Sequence, residues 1–145
     1  MAERISKRLQ QEIAQRARQR CEYCLCPLAF ATESFAVEHI LPSVHGGLTA
    51  SENLALACSG CNSHKYDKIE ARDPESSDIV PLYHPRQHRW QDHFTWDEEY
   101  THLIGRTPTG RATIAALHLN RVGVVNLRWA LFLLSLHPPE DAENA

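Results

Sequence analysis

The chain has 145 residues, a formal net charge of −3, 43% hydrophobic and 23% charged residues. That is enough chain to bury a core as one domain, and the composition is that of an ordinary soluble protein. The opening MAERISKRLQQ lacks an apolar signal core, and the longest apolar run, Trp129–Leu134, is too short to span a bilayer, so a membrane partner is excluded and a cytoplasmic location is expected.

The charge is unevenly placed. Residues 1–72 carry +1, residues 73–137 carry −1 and the last eight residues carry −3. The acidic excess therefore belongs to PPEDAENA, residues 138–145, expected to be a disordered tail. A basic surface is compatible with this total, because patches steer polyanions more than sums do.

In chain order, Ile5, Leu9, Ile13 and Ala17 recur at i, i+4 steps and predict an amphipathic N-terminal helix over 3–19 with a basic outer face. Residues 35–40, FAVEHI, are β-formers ended by Pro42 and predict a strand. SVHGGLTASEN reads as a loop, and Leu54–Ala57 as a short apolar run leading into a cysteine pair. A helix is expected over Cys61–Ala71, closed before Asp73-Pro74. After the polar link RDPESSD come an extended segment over Ile79–Tyr83 and a hairpin near Phe94–Ile104. Thr107-Pro108 is an N-cap and N1 pair opening a helix with Ile114, Leu117 and His118 inward. Asn120 is expected to break that helix and cap a last one over Val122–Leu136.

Four of the five cysteines form two C-x-x-C pairs, Cys21/Cys24 and Cys58/Cys61. Without an export signal this pattern favours a metal over disulfides, and two such knuckles close a four-sulfur tetrahedral site suited to structural zinc. A closed four-sulfur site keeps no open position for a substrate or water. The zinc is scaffold, and catalysis needs other groups. Cys26 is the spare thiol.

Between the pairs stand Glu38-His39, Gly46-Gly47 and Asn53, with Asn62 directly after Cys61. The stretch VEHILPSVHGGLTASENLALACSGCNSHK resembles the HNH nuclease motif, also called the ββα-metal or His-Me finger, in its zinc-stabilised branch. An acidic residue plus His, a Gly-rich loop, Asn-Leu, and C-x-x-C followed by Asn and Lys occur in the family's order. The resemblance implies an α+β chain: a small ββα-metal core with a four-Cys zinc site, an N-terminal helix and a C-terminal hairpin-plus-helices extension. Residues 79–136 resemble the extension of small stand-alone members, with HF-x-W, T-P-x-GRAT and L-N-R elements. The expected organisation is one HNH domain over 1–137, its core about 18–72 and its extension about 79–137.

Phosphodiester hydrolysis needs an activated water, charge stabilisation on the phosphate and help for the leaving oxygen. His39 is the candidate general base, since an imidazole can take a proton from water near neutral pH. The resemblance implies that Glu38 and Asn62 hold one divalent ion, Mg²⁺ or Mn²⁺, with His64 as an alternative to Asn62. On a strand, adjacent Glu38 and His39 diverge to opposite faces. The family more often carries Asp where Glu38 stands. The resemblance implies that Asn53 belongs to the active site with a bracing role, which an amide can fill because it donates and accepts at once. Lys65, His64 and His45 are candidate phosphate or DNA contacts. Arg86, Arg89, Arg106 and Arg111 form either a DNA-facing rim or surface ion pairs.

The expected function is a divalent-metal-dependent DNA endonuclease leaving 5′-phosphate and 3′-hydroxyl ends, with RNA an open alternative substrate. The rivals are a zinc-knuckle nucleic-acid-binding module without cleavage activity and a non-enzymatic interaction protein. The last helix, rich in Val, Leu, Trp and Phe, is expected to be buried in the chain or against a partner, with self-association as one outcome.

Overall fold

The structure is a computed structural model that describes residues 4–140. Most of the acidic tail expected over 138–145 lies outside the described residues; Pro138 and Pro139 are half-buried. The chain divides into two compact units, residues 1–69 and 70–145. Among the described residues, no helix is long and apolar enough to cross a membrane.

The first unit begins with helix α1, Lys7–Arg16. The Ser6 hydroxyl accepts from the Leu9 amide at 3.1 Å and caps it. The expected stripe does face inward. Ile13 and Ala17 are buried with Leu54 and Leu56, and Ile5, Leu9, Phe35 and Val37 pack around them. Strands β1 (Ala36–His39) and β2 (Leu54–Ala57) form an antiparallel pair, with Glu38 opposite Ala55 and His39 opposite Leu54. Arg16 fastens α1 to the start of β2, donating to the Leu54 carbonyl at 2.8 Å and the Ser51 hydroxyl at 2.8 Å.

Helix α2 spans Ser59–Lys65 only. The expected helix over Cys61–Ala71 is corrected, because Tyr66 takes a left-handed φ of 51° and turns the chain out. Glu70–Arg72 is instead strand β3, paired antiparallel with β4, Ile79–Pro81. What sequence periodicity missed was turn chemistry. The Asp73 carboxylate accepts from the Glu75 amide and the Ser76 hydroxyl, folding RDPESSD into a tight reversal.

The second unit holds that hairpin and a short helix α3 (Trp90–His93). A second hairpin of β5 (Phe94–Trp96) and β6 (Leu103–Gly105) follows, then helices α4 (Pro108–Leu117) and α5 (Val122–Leu133). Thr107 caps α4 as expected, accepting from the Gly110 amide at 3.0 Å. Arg111 grips Asp73 with two hydrogen bonds, 2.9 and 2.8 Å, so α4 is tied to the first hairpin. Arg111 is thus an ion-pair residue, and Arg106 donates to the Gln91 carbonyl.

Two details of the expected helices differ. His118 is exposed, in the left-handed conformation that closes α4. Asn120 is not a cap; its amide pairs with both backbone groups of Leu103, at 2.7 and 2.9 Å, and Arg121 takes the cap position of α5. Arg128 is buried, donating through its two terminal nitrogens to the carbonyls of Thr101 and Leu119, with its guanidinium 5.2 Å from the Trp96 ring.

Candidate active site and metal centre

Cys21 and Cys24 lie in the turn after α1, and Cys58 and Cys61 at the start of α2. All four are buried, and their sulfurs lie within 4.8 Å of one another. The Cys24 and Cys58 sulfurs are 3.7 Å apart. A disulfide would need about 2.05 Å, whereas sulfurs each about 2.3 Å from one tetrahedral zinc stand roughly 3.8 Å apart. The cluster therefore fits a structural zinc site. The thiols share their acidity unevenly: hydrogen bonds from Cys21, then Cys24, Cys26 and Cys61, hold Cys58 far below the ordinary thiol value. Burial pushes Cys21 up. Glu22, inside the first knuckle, exchanges hydrogen bonds with Leu56, accepting from its amide at 2.8 Å and donating its own amide to its carbonyl at 2.9 Å. The cysteine cluster is thereby tied to β2.

Directly beside that cluster, β1 delivers Glu38 and His39 to opposite sides, as strand alternation requires. His39 is half-buried, and its Nε2 pairs with the Thr49 hydroxyl at 2.8 Å. Its Nδ1 has no partner among the described residues. When Nε2 carries the proton and donates to Thr49, Nδ1 keeps its lone pair, the arrangement a general base needs.

Asn53 holds the loop that supplies Thr49. Its Oδ1 accepts from the Leu41 amide at 2.8 Å, and its Nδ2 donates to the carbonyls of Leu41 at 3.0 Å and Leu48 at 2.8 Å. One side chain thus joins the exit of β1 to the far end of the loop. Gly46 turns this loop at φ 90°. Gly47 lies so close that a Cβ there would stand 1.7 Å from the Leu41 carbonyl oxygen. Only glycine fits both positions, which is why the sequence carries the pair.

Glu38 points the other way, into the interior, and is 7% exposed. Tyr23 donates its hydroxyl to Oε1, and the Lys65 ammonium lies 3.0 Å from Oε2. Lys65 is 2% exposed and also donates to the Ile40 carbonyl at 2.8 Å. Burial raises the Glu38 carboxyl above its usual range, and the charge of Lys65 opposes that shift. Burial likewise pushes the Tyr23 hydroxyl well up, so it serves as donor.

The remaining candidates surround this pair. Asn62 is half-buried in the first turns of α2, and its side-chain amide makes no hydrogen bond among the described residues. His64 is half-buried on the same helix, and its carbonyl accepts from Lys68 at 2.9 Å. His45 is exposed and donates from Nε2 to the Asp67 carbonyl at 3.1 Å, linking the glycine loop to the segment after α2. Lys65, read from sequence as a phosphate contact, keeps its ammonium inside. Sequence reasoning missed Thr49 and Tyr23. Thr49 is one of several hydroxyls in its loop, with nothing to single it out. Tyr23 had a signal, an aromatic inside a C-E-Y-C knuckle.

Residues 21–68 match the family model described as HNH endonuclease. No curated protein and no solved structure matches the chain. The match begins at the first zinc cysteine and ends just past α2, so it encloses Glu38, His39, Asn53 and all four sulfurs. Over these residues, about a third of its length, the chain is similar to the HNH endonuclease domain.

Proposed function

We propose that the chain is an endonuclease hydrolysing DNA phosphodiester bonds, with His39 as general base. The observation that carries this reading is the His39 imidazole, oriented through Nε2 by Thr49 and left open at Nδ1. A water beside Nδ1 gives up its proton and attacks phosphorus in line with the 3′ oxygen. That oxygen departs with the bonding pair and takes a proton from solvent water, leaving a 5′-phosphate and a 3′-hydroxyl. Asn53 and Thr49 act as positioning residues. They fix where the base sits without touching the reacting atoms.

The reading includes Mg²⁺ or Mn²⁺ as the ion that would supply charge stabilisation at the phosphate. Asn62 has a free amide for it. Glu38 does not fit, because both its oxygens are engaged and an ammonium already sits 3.0 Å away. A divalent ion on that carboxylate would meet like charge in a poorly hydrated pocket. No step is therefore routed through a Glu38–Asn62 pair.

The same sequestered carboxylate favours a second reading, a nucleic-acid-binding module without cleavage. Supercoiled plasmid incubated with Mg²⁺ or Mn²⁺ separates the two. The nuclease reading expects nicks that DNA ligase reseals, since ligase requires the 5′-phosphate and 3′-hydroxyl. Retarded but intact plasmid, with affinity falling as salt rises, supports the binding module. Nicks that ligase cannot reseal contradict the proposed products.

A further inference from the structure

Helix α5 contains a single charged side chain, Arg128, and that one is buried. Its inward side is already satisfied by Val124, Arg128 and Leu131. Yet Val122 is 76% exposed, Trp129 58% and Leu133 62%, with Phe132, Leu134 and Leu136 exposed beside them. The helix is thus apolar on two sides, and only one side meets the core of its own unit.

The outward side has the spacing of a helix seam. Val122, Val125, Trp129 and Phe132 step by three, four and three residues, and Leu136 follows four later in the turn beyond the helix. Such steps keep side chains aligned along a second helix. The face is also its own complement. Val122 and Leu136 each lie seven residues from Trp129, and Val125 and Leu133 each lie four away. Two copies run antiparallel would place Val122 on Leu136 and Val125 on Leu133, with Trp129 meeting its equivalent at the two-fold axis and Phe132 beside Asn126. Gly123, Asn126 and Ala130, exposed and uncharged, flank the seam and allow close approach.

Large side chains of roughly 150–250 Å², about half exposed, give this face on the order of 500 Å² per chain. A pair then buries about 1,000 Å², the threshold for a specific interface. A patch of that size is at the upper end of what a monomer exposes. With no exposed charge on the helix, a charged partner finds nothing to pair with, whereas an identical apolar face does.

We propose that two copies of this chain associate through α5, antiparallel about an axis at Trp129. Sedimentation equilibrium of the full-length, zinc-loaded protein from nanomolar to high micromolar concentration tests it. The expected result is a monomer–dimer equilibrium, with the double variant Trp129→Glu/Leu133→Glu monomeric throughout and its far-UV circular dichroism unchanged. A wild type that stays monomeric, or a folded double variant that still dimerises, overturns the proposal. Should that variant fail to fold, tryptophan emission of the wild type decides. Trp90 is buried and Trp96 half-buried, so dilution is expected to red-shift the signal of Trp129. Emission independent of concentration contradicts the interface. Dimers that form only with added lipid or with another protein also contradict it.

Discussion

In residues 1–69 the buried side chains include Ile13, Ala17, Leu54 and Leu56 beside four cysteines, while residues 70–145 bury Tyr83, Trp90, Phe94, Leu103, Leu117, Leu119 and Leu131. The second unit has ordinary means of folding: aromatic rings 5.2 Å apart in the Tyr83–Phe94 and Trp90–Phe94 pairs, and a bidentate Arg111–Asp73 contact. The first has two short strands, two helices of ten and seven residues, and long loops. It replaces apolar area with a four-cysteine cluster suited to zinc, a buried Glu38–Lys65 pair and one asparagine spanning a loop. The difference teaches that the unit carrying the proposed active site is held by a few polar contacts and a cysteine cluster, each with a large expected effect when removed.

Zinc removal breaks the comparison most strongly. Structural zinc contributes on the order of 10–16 kcal/mol in small domains, so a strong chelator or Cys58→Ser should unfold residues 4–69 and spare residues 70–140. Hydrogen exchange followed by mass spectrometry reads both units at once. Equal loss of protection in both would show that the second unit also depends on the metal.

Two core changes come next, and they should act on opposite units. Phe94→Ala is expected to cost about 3–5 kcal/mol, lowering protection in the second unit while the zinc content stays at one per chain. Lys65→Met leaves Glu38 buried without its cation and should cost about 3–5 kcal/mol, this time in the first unit. Glu38→Gln together with Lys65→Met should recover much of that loss, and thermal unfolding of the single and double variants checks it. Failure of the double variant to recover would mean that the two side chains do not act as a pair.

Asn53→Ala is smaller. It strips partners from the Leu41 amide and from two carbonyls, and a cost of about 1–3 kcal/mol is expected, with the loop over 43–49 gaining exchange first. The smallest effect is a pH dependence in the second unit. The Arg111 guanidinium, with Ser76 and Glu75 adding hydrogen bonds, holds the Asp73 carboxyl well below the usual carboxylate range. A depressed folded value stabilises above the unfolded value of about 3.9 and loses that contribution as pH falls below it. Acid titration of wild type should therefore show a destabilising step below about pH 4 that Asp73→Asn lacks.

How much of this was readable beforehand divides along the same line. The cysteine cluster was legible from the spacing of its two pairs, and the bracing bonds of Asn53 from the resemblance that set it beside His39. The caps and turns that use local residues were legible too, Thr107-Pro108 above all. What escaped was contact between residues far apart in sequence. Nothing at Glu38 announces Lys65, twenty-seven positions later, as the partner that takes its carboxylate inward. Likewise Thr49 is chosen only once Asn53 and Gly47 have folded the loop toward β1. The helix expected over 61–71 failed for a related reason, since strand β3 exists only by pairing with β4.

The proposed roles are separate, zinc for the fold and His39 for cleavage. Plasmid nicking by His39→Ala protein, prepared with one zinc per chain and a wild-type unfolding temperature, tests that separation most directly. A loss of about 10²–10⁴-fold in nicking rate is expected. Nicking at the wild-type rate by that folded, zinc-loaded variant would contradict it.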